Sequence, residues 1–216
     1  MIYRVQMTFT EPLLGGSPLS AKVFEQFLAG RRGEETPDNP LASDEIEEEL
    51  ATLPEGERGG VTGFHRLPDG SPMIYDYVIK GFAKDACAAL GRIKTSRSAA
   101  LKAYKRVIDG LLHIYPRRIP LVLAGPVTEM TRPLRAQTMQ GERVALATSE
   151  MVPAGSSMEF EILPLSTDVI PDALIREWLG YGQFKGLGQW RNASWGRFAV
   201  QVETVTVGKY APSLVY

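Results

Sequence analysis

Between Gly180 and Ala199 the chain reads GYGQFKGLGQWRNASWGRFA, with five glycines in twenty residues. This stretch runs into a strict strand-like alternation from Arg197 to Val207, in which Phe198, Val200, Val202, Val205 and Val207 are the apolar partners. Glycine at this density weakens helix and strand alike. The fold must therefore bring an irregular loop against a closing strand. The same segment carries Lys185, Arg191, Arg197, Asn192, Trp190 and Trp195. Exposed glycine amides can form an anion-binding concavity. Lysine and arginine neutralise phosphates, and aromatic rings stack unpaired bases. A backbone-rich, cationic and aromatic loop of this kind points to a nucleic-acid contact built from Lys185, Gly186, Gly188, Trp190, Arg191, Asn192 and Arg197.

Elsewhere the periodicity alternates between 2 and 3.6. Ile2–Phe9 reads as a strand with one buried face, broken by EPLLGGSP. Ser20 caps a short helix over Ala21–Leu28, and Ser43 with Ile46 and Leu50 marks a second, acidic helix ending before Pro54. Gly59–Leu67 and Met73–Val78 read as a hairpin around Pro68-Asp69-Gly70. A helix follows over Gly81–Arg92, and Thr95–Arg106 continues it. GLLHIYP pairs with IPLVLAG, and VALATSEMV pairs with SMEFEILPL through the PAGS turn. Ile170–Leu179 is an amphipathic helix with Pro171 in its first turn. Strands linked mostly antiparallel, with a few helices, predict an α+β sandwich in one domain over residues 1–216.

The net charge is only −1, but its distribution is uneven. Glu25–Arg58 holds eleven acids against three bases, whereas Lys80–Arg143 holds thirteen bases against four acids. Lys80, Lys84, Arg92, Lys94, Arg97, Lys102, Arg132 and Arg135 in the second stretch are candidates for following a phosphate backbone. Cys87, the single cysteine, lies among alanines as a small hydrophobe, so disulfides and cysteine-based zinc sites are excluded. The N-terminal stretch lacks the pattern of a signal peptide and no run reaches membrane-span length, so a cytoplasmic protein with no membrane partner is expected. No nucleotide-binding glycine loop, nucleophile elbow or HExxH motif is present, and no metal or cofactor is expected. His65 and His113 are the two histidines from which a metal-independent ribonuclease could be assembled.

Five segments together resemble the RAMP superfamily, the repeat-associated RNA-binding proteins of CRISPR effector complexes. SEMVPAGSSMEFEI, PDALIREWLGYG and FKGLGQWRNASWGRFAV are similar to the family's C-terminal half. MIYRVQMTFTEPLLGGSP is similar to its opening strand and glycine loop, and YDYVIKGFAKDACAAL to the glycine–lysine turn that starts its first core helix. The resemblance implies a ferredoxin-like, RRM-like βαββαβ core with an acidic insertion over Leu19–Glu57. It also implies single-stranded RNA lying along Lys80, Gly81, Lys84, Gly186, Leu187, Gly188, Gly196 and Arg197. Three readings stay open. The chain is a non-catalytic RNA-binding subunit with other effector subunits as partners and self-assembly possible, or a stand-alone phage-borne relative interfering with a host defence complex. It is a protein-interaction module whose acidic segment Glu34–Glu57 mimics nucleic acid. Or it is a repeat-processing ribonuclease using His65 or His113.

Overall fold

The computed structural model describes residues 1–20, 49–54, 60–138 and 141–205, without the side chains of 134–143 and 145. The expected helix over 21–28 and most of the acidic segment lie outside these residues. In chain order the elements are β1 Ile2–Phe9, β2 Leu13–Leu14, β3 Ser17–Pro18, β4 Val61–Gly63, β5 His65–Arg66, β6 Pro72–Tyr75 and α1 Asp76–Leu90. There follow α2 Tyr104–Leu111, β7 Leu112–Tyr115, β8 Arg118–Pro120, β9 Thr128–Thr138, β10 Gly141–Val152, β11 Ser157–Pro164, α3 Asp172–Lys185 and β12 Phe198–Val205.

The central sheet has the order β12-β1-β11-β7 with every neighbour antiparallel. The alternation in β1 decides its two faces: Tyr3, Val5, Met7 and Phe9 are buried, while Arg4, Gln6 and Thr8 are exposed. The buried face receives Ile79, Phe82, Ala83 and Ala86 of α1, spaced along one side of the helix. Leu174, Ile175, Trp178 and Leu179 of α3 join them in one continuous core. α1 lies between β1 and β7 in the chain, and α3 between β11 and β12. A second sheet has the order β2-β10-β4-β3 with β9 alongside β10, and a third has the order β5-β6-β8. The mixed α+β class is as expected.

Several local expectations are corrected. α1 begins at Asp76, not near Gly81, because Ile79 belongs to the same buried stripe as Phe82 and Ala86. Asp76 also places an acid in the first turn, where the helix dipole favours it. The hairpin around Gly70 is therefore shorter than expected, pairing His65 with Met73 and Arg66 with Pro72. Thr95–Arg106 is not a continuing helix. Ser96 caps a 3₁₀ turn over Arg97–Ala100, and Glu177 of α3 accepts hydrogen bonds from the Arg97 and Ser98 amides at 2.9 and 3.0 Å.

GLLHIYP and IPLVLAG do not pair. Ile114 sits opposite Ile162 in the central sheet, and Ile119 opposite Ile74 in the third. The Pro116-Arg117 link lacks the left-handed residues that a two-residue hairpin needs, so the chain changes sheets. VALATSEMV and SMEFEILPL are likewise separated: β10 pairs with β9, and β11 with β1. The PAGS turn is pinned to the end of β1 instead. Gly155 donates its amide to the Phe9 carbonyl and Phe9 donates to that of Ser156, at 2.8 and 2.9 Å. The amphipathic helix runs on to Lys185 through Gly180 and Gly182. Gly182 is buried where any side chain would collide with the ring of Phe198, so here glycine admits close helix–strand packing.

Candidate nucleic-acid interface

Beyond α3 the chain folds over β2. Gln189 donates its amide to the Leu14 carbonyl at 3.2 Å, and Gly196 to that of Pro12 at 2.9 Å. Leu187 donates to Gly196 at 2.9 Å and Gly186 to Gly182 at 3.1 Å. The amides of Gly186 and Gly196, two of the glycines expected to cradle an anion, are thus engaged within the protein, which corrects that part of the expectation. Gly188 shows what the glycines do instead: its φ is +74°, and a Cβ there would stand 2.5 Å from the Leu14 carbonyl oxygen. They let main chain lie on main chain, and Leu187 between them is a buried anchor.

The outward side of this loop carries the polar groups. Lys185, Gly188, Trp190, Arg191 and Asn192 line one open hollow of about 660 Å³ with Asp85 and Ala193. Lys185 Nζ donates to Asn192 Oδ1 at 2.5 Å. Arg191 Nη1 donates to Asp85 Oδ2 at 2.7 Å, the two side chains being 32 % and 41 % exposed. Trp190 holds a left-handed backbone, φ +54°, conformationally costly for a bulky residue.

What holds the indole is Arg132. Its guanidinium carbon lies 3.7 Å from the centre of the Trp190 ring. Arg132 Nη2 donates to Gln189 Oε1 at 2.7 Å and Nη1 to Ser149 Oγ at 3.4 Å. The residue is only 4 % exposed, and its Nε has no acceptor among the described residues. Burial pulls its pKa below the usual arginine value. Arg132 therefore stands behind the tryptophan as a brace, not on the surface as expected for a residue following phosphates. A desolvated cation–π contact of this kind is worth about 2 kcal/mol.

The remaining candidates are dispersed. On α1, Gly81 and Asp85 line cavities beside the loop, whereas Lys84 is turned to α2, its Nζ 2.6 Å from Asp109. Lys80 is half-buried, close enough to act electrostatically on Asp76 and His113. Arg92, Lys94, Arg97 and Lys102 are exposed after α1 and line none of the cavities described. Arg197 Nε donates to the Phe184 carbonyl at 3.1 Å, closing the loop. The Arg135 side chain lies outside those described.

Sequence reasoning missed Asp85 and the bracing role of Arg132. Nothing in the chain order signals contacts made across 106 residues by Asp85 and Arg191.

Neither histidine lies in the outer hollow. His65 is 3 % exposed, with Nδ1 3.0 Å from Thr52 Oγ1 and its ring edge-on to Tyr75. Burial lowers its pKa to about 4, so it is neutral at neutral pH. His113 is half-buried on β7, its pKa lowered by burial and then by the charge of Lys80. Cys87 is buried, as expected, and burial raises its thiol pKa. Among the described residues no group of three metal-binding side chains is assembled, and no helix is long and apolar enough to cross a membrane.

No family profile matches the sequence, and no curated protein is similar to it. The fold is similar to a chain of the type III-B Cmr-β complex bound to cognate target RNA, with a TM-score of 0.55 at 13 % identity over 95 % of this chain. The match spans 60 % of that chain's length. A chain of a type IV-B CRISPR complex gives a TM-score of 0.48 at 11 % identity, over 98 % of this chain and 94 % of that one, too loose to carry an argument. This protein therefore shares its fold with part of a chain of the type III-B Cmr-β structure.

Proposed function

We propose that this chain is a non-catalytic, single-stranded RNA-binding protein of the RAMP type, acting as a subunit of a CRISPR-like effector complex. The observation that carries the proposal is the loop surface: Trp190, braced from behind by Arg132, stands in one hollow with Lys185, Arg191 and Asn192. A half-buried ring held by a guanidinium and lining an open hollow can serve as a stacking platform, and the adjacent cations serve the phosphates. Asn192 supplies a polar group for 2′-hydroxyls or base edges. The strand order β12-β1-β11-β7, with α1 and α3 placed as in a βαββαβ unit, supports a ferredoxin-like core. The likeness to a chain of an RNA-bound CRISPR complex supports the same reading.

Mobility-shift titrations with single-stranded RNA, single-stranded DNA and duplexes at two salt concentrations test it. The expected result is sequence-tolerant binding of single-stranded RNA that weakens with salt. Absence of RNA affinity at both salt levels, with a salt-sensitive complex formed by a basic protein partner, would refute it in favour of the acidic-segment reading.

A further inference from the structure

Behind the outer hollow lies a second cavity of about 350 Å³, within the usual range for ligand pockets. Its walls are mostly apolar, among them Leu13, Phe64, Phe82 and Leu187, and Gln189 stands among them as a polar group. The two cavities share Gly188 and Arg191. A polar hollow that opens on an apolar pocket across a common rim matches the two halves of a nucleotide. The charged sugar-phosphate stays outside, and the flat, weakly hydrated ring goes in.

Gln189 gives the pocket a direction. Its Oε1 accepts from Arg132 Nη2 at 2.7 Å, which fixes the amide so that Nε2 carries the free donors. That nitrogen lies near Gly16, another wall of the pocket. A donor set among apolar walls suits the acceptor edge of a base. Arg191 has one guanidinium nitrogen committed to Asp85 and its remaining N–H groups at the rim, where a phosphate would pass.

From this geometry we infer that the inner cavity takes one unstacked nucleobase of a single strand lying in the outer hollow, with Gln189 donating to its edge. The inference rests on the single-strand reading above and adds to it a fixed register: one nucleotide along the strand is held differently from its neighbours.

Gly81 makes this testable. It lines the pocket from an exposed position in α1, and a Cβ built there meets nothing within 4 Å. Gly81→Leu should therefore fill the pocket without disturbing the fold, with a thermal midpoint at or above that of the wild type. Single-stranded RNA oligonucleotides carrying one abasic position, moved stepwise along the strand, are titrated against the wild type, Gly81→Leu and Gly110→Leu, the last at an exposed position of α2 where a Cβ also meets nothing within 4 Å. Wild type should lose about tenfold in affinity at one abasic position only. Gly81→Leu should bind intact RNA about tenfold more weakly and lose nothing further with that abasic strand, while Gly110→Leu keeps the wild-type profile. Tight wild-type binding with a flat abasic profile overturns the pocket and leaves the single-strand reading standing. So does a Gly81→Leu loss that adds to the abasic loss, or an equal loss with Gly110→Leu. Failure of every oligonucleotide to bind overturns the single-strand reading and this inference with it.

Discussion

The open face of the central sheet and the loop hollow make an instructive pair. Many single-strand binders of similar strand-and-helix make-up use their sheet as the platform, with aromatic side chains on it for stacking. Here that face is a broad hollow of about 780 Å³ lined by Glu159, Glu161 and Glu203, with Arg4 the one arginine among its described residues. Arg4 is already paired with Glu161 at 3.0 Å, and Gln6 donates to Glu159 at 3.3 Å. Three carboxylates against one arginine repel a polyanion. The loop hollow has two cations against one acid, and a braced indole. The fold does not choose between these surfaces; the side chains placed on it do.

The contrast can be broken or sharpened by substitution. The largest effect should come from the framework behind the loop. Glu150 is 3 % exposed and holds Arg66 Nη2 at 2.6 Å and the Phe64 amide at 3.0 Å. Glu150→Ala leaves that arginine without its partner and should lower stability by about 3–5 kcal/mol, measured by denaturant unfolding. The solvated Arg4–Glu161 pair on the sheet should contribute less than about 1 kcal/mol by the same measurement.

Next in size is a pH effect centred on His65. Its folded pKa of about 4 lies below its ordinary 6.5. Between those values the unfolded chain binds the proton more readily, so stability should be full above pH 6.5 and fall as pH drops toward 4. Unfolding midpoints measured across this window should slope downward with acid, and His65→Gln should flatten the slope. Smaller again is Trp190→Ala, which should weaken single-stranded RNA binding by about 1–3 kcal/mol per folded molecule. A loss confined to stability would make Trp190 a core anchor and remove the platform from the loop side.

How much of this was legible follows from the range of each interaction. β1 and the closing strand were readable because their alternation is set by neighbours two residues apart, and Tyr3, Val5, Met7 and Phe9 are indeed the buried set. The burial of Cys87 was readable from its alanine-rich setting. Strand partners were not. IPLVLAG looks equally suited to GLLHIYP and to the strand it joins, and the choice is made by Ile74 opposite Ile119. Lys185, Trp190, Arg191 and Asn192 stood out together because they are close in the chain. Their electrostatics did not, since Asp85 and Arg132 arrive from α1 and β9. The glycines were the subtlest case: composition marks them as special, and only the packing on Leu14 and Pro12 shows that they serve contact between backbones.

The claim that a polynucleotide lies along the loop and not on the sheet is tested most directly by salt dependence. Affinity for single-stranded RNA is measured against salt concentration for the wild type, Lys185→Ala and Arg4→Ala. The account predicts that Lys185→Ala lowers the slope of log K against log salt by about 0.7, the value of one phosphate contact on a single strand, and that Arg4→Ala leaves it unchanged. A slope lowered by Arg4→Ala and untouched by Lys185→Ala would contradict it.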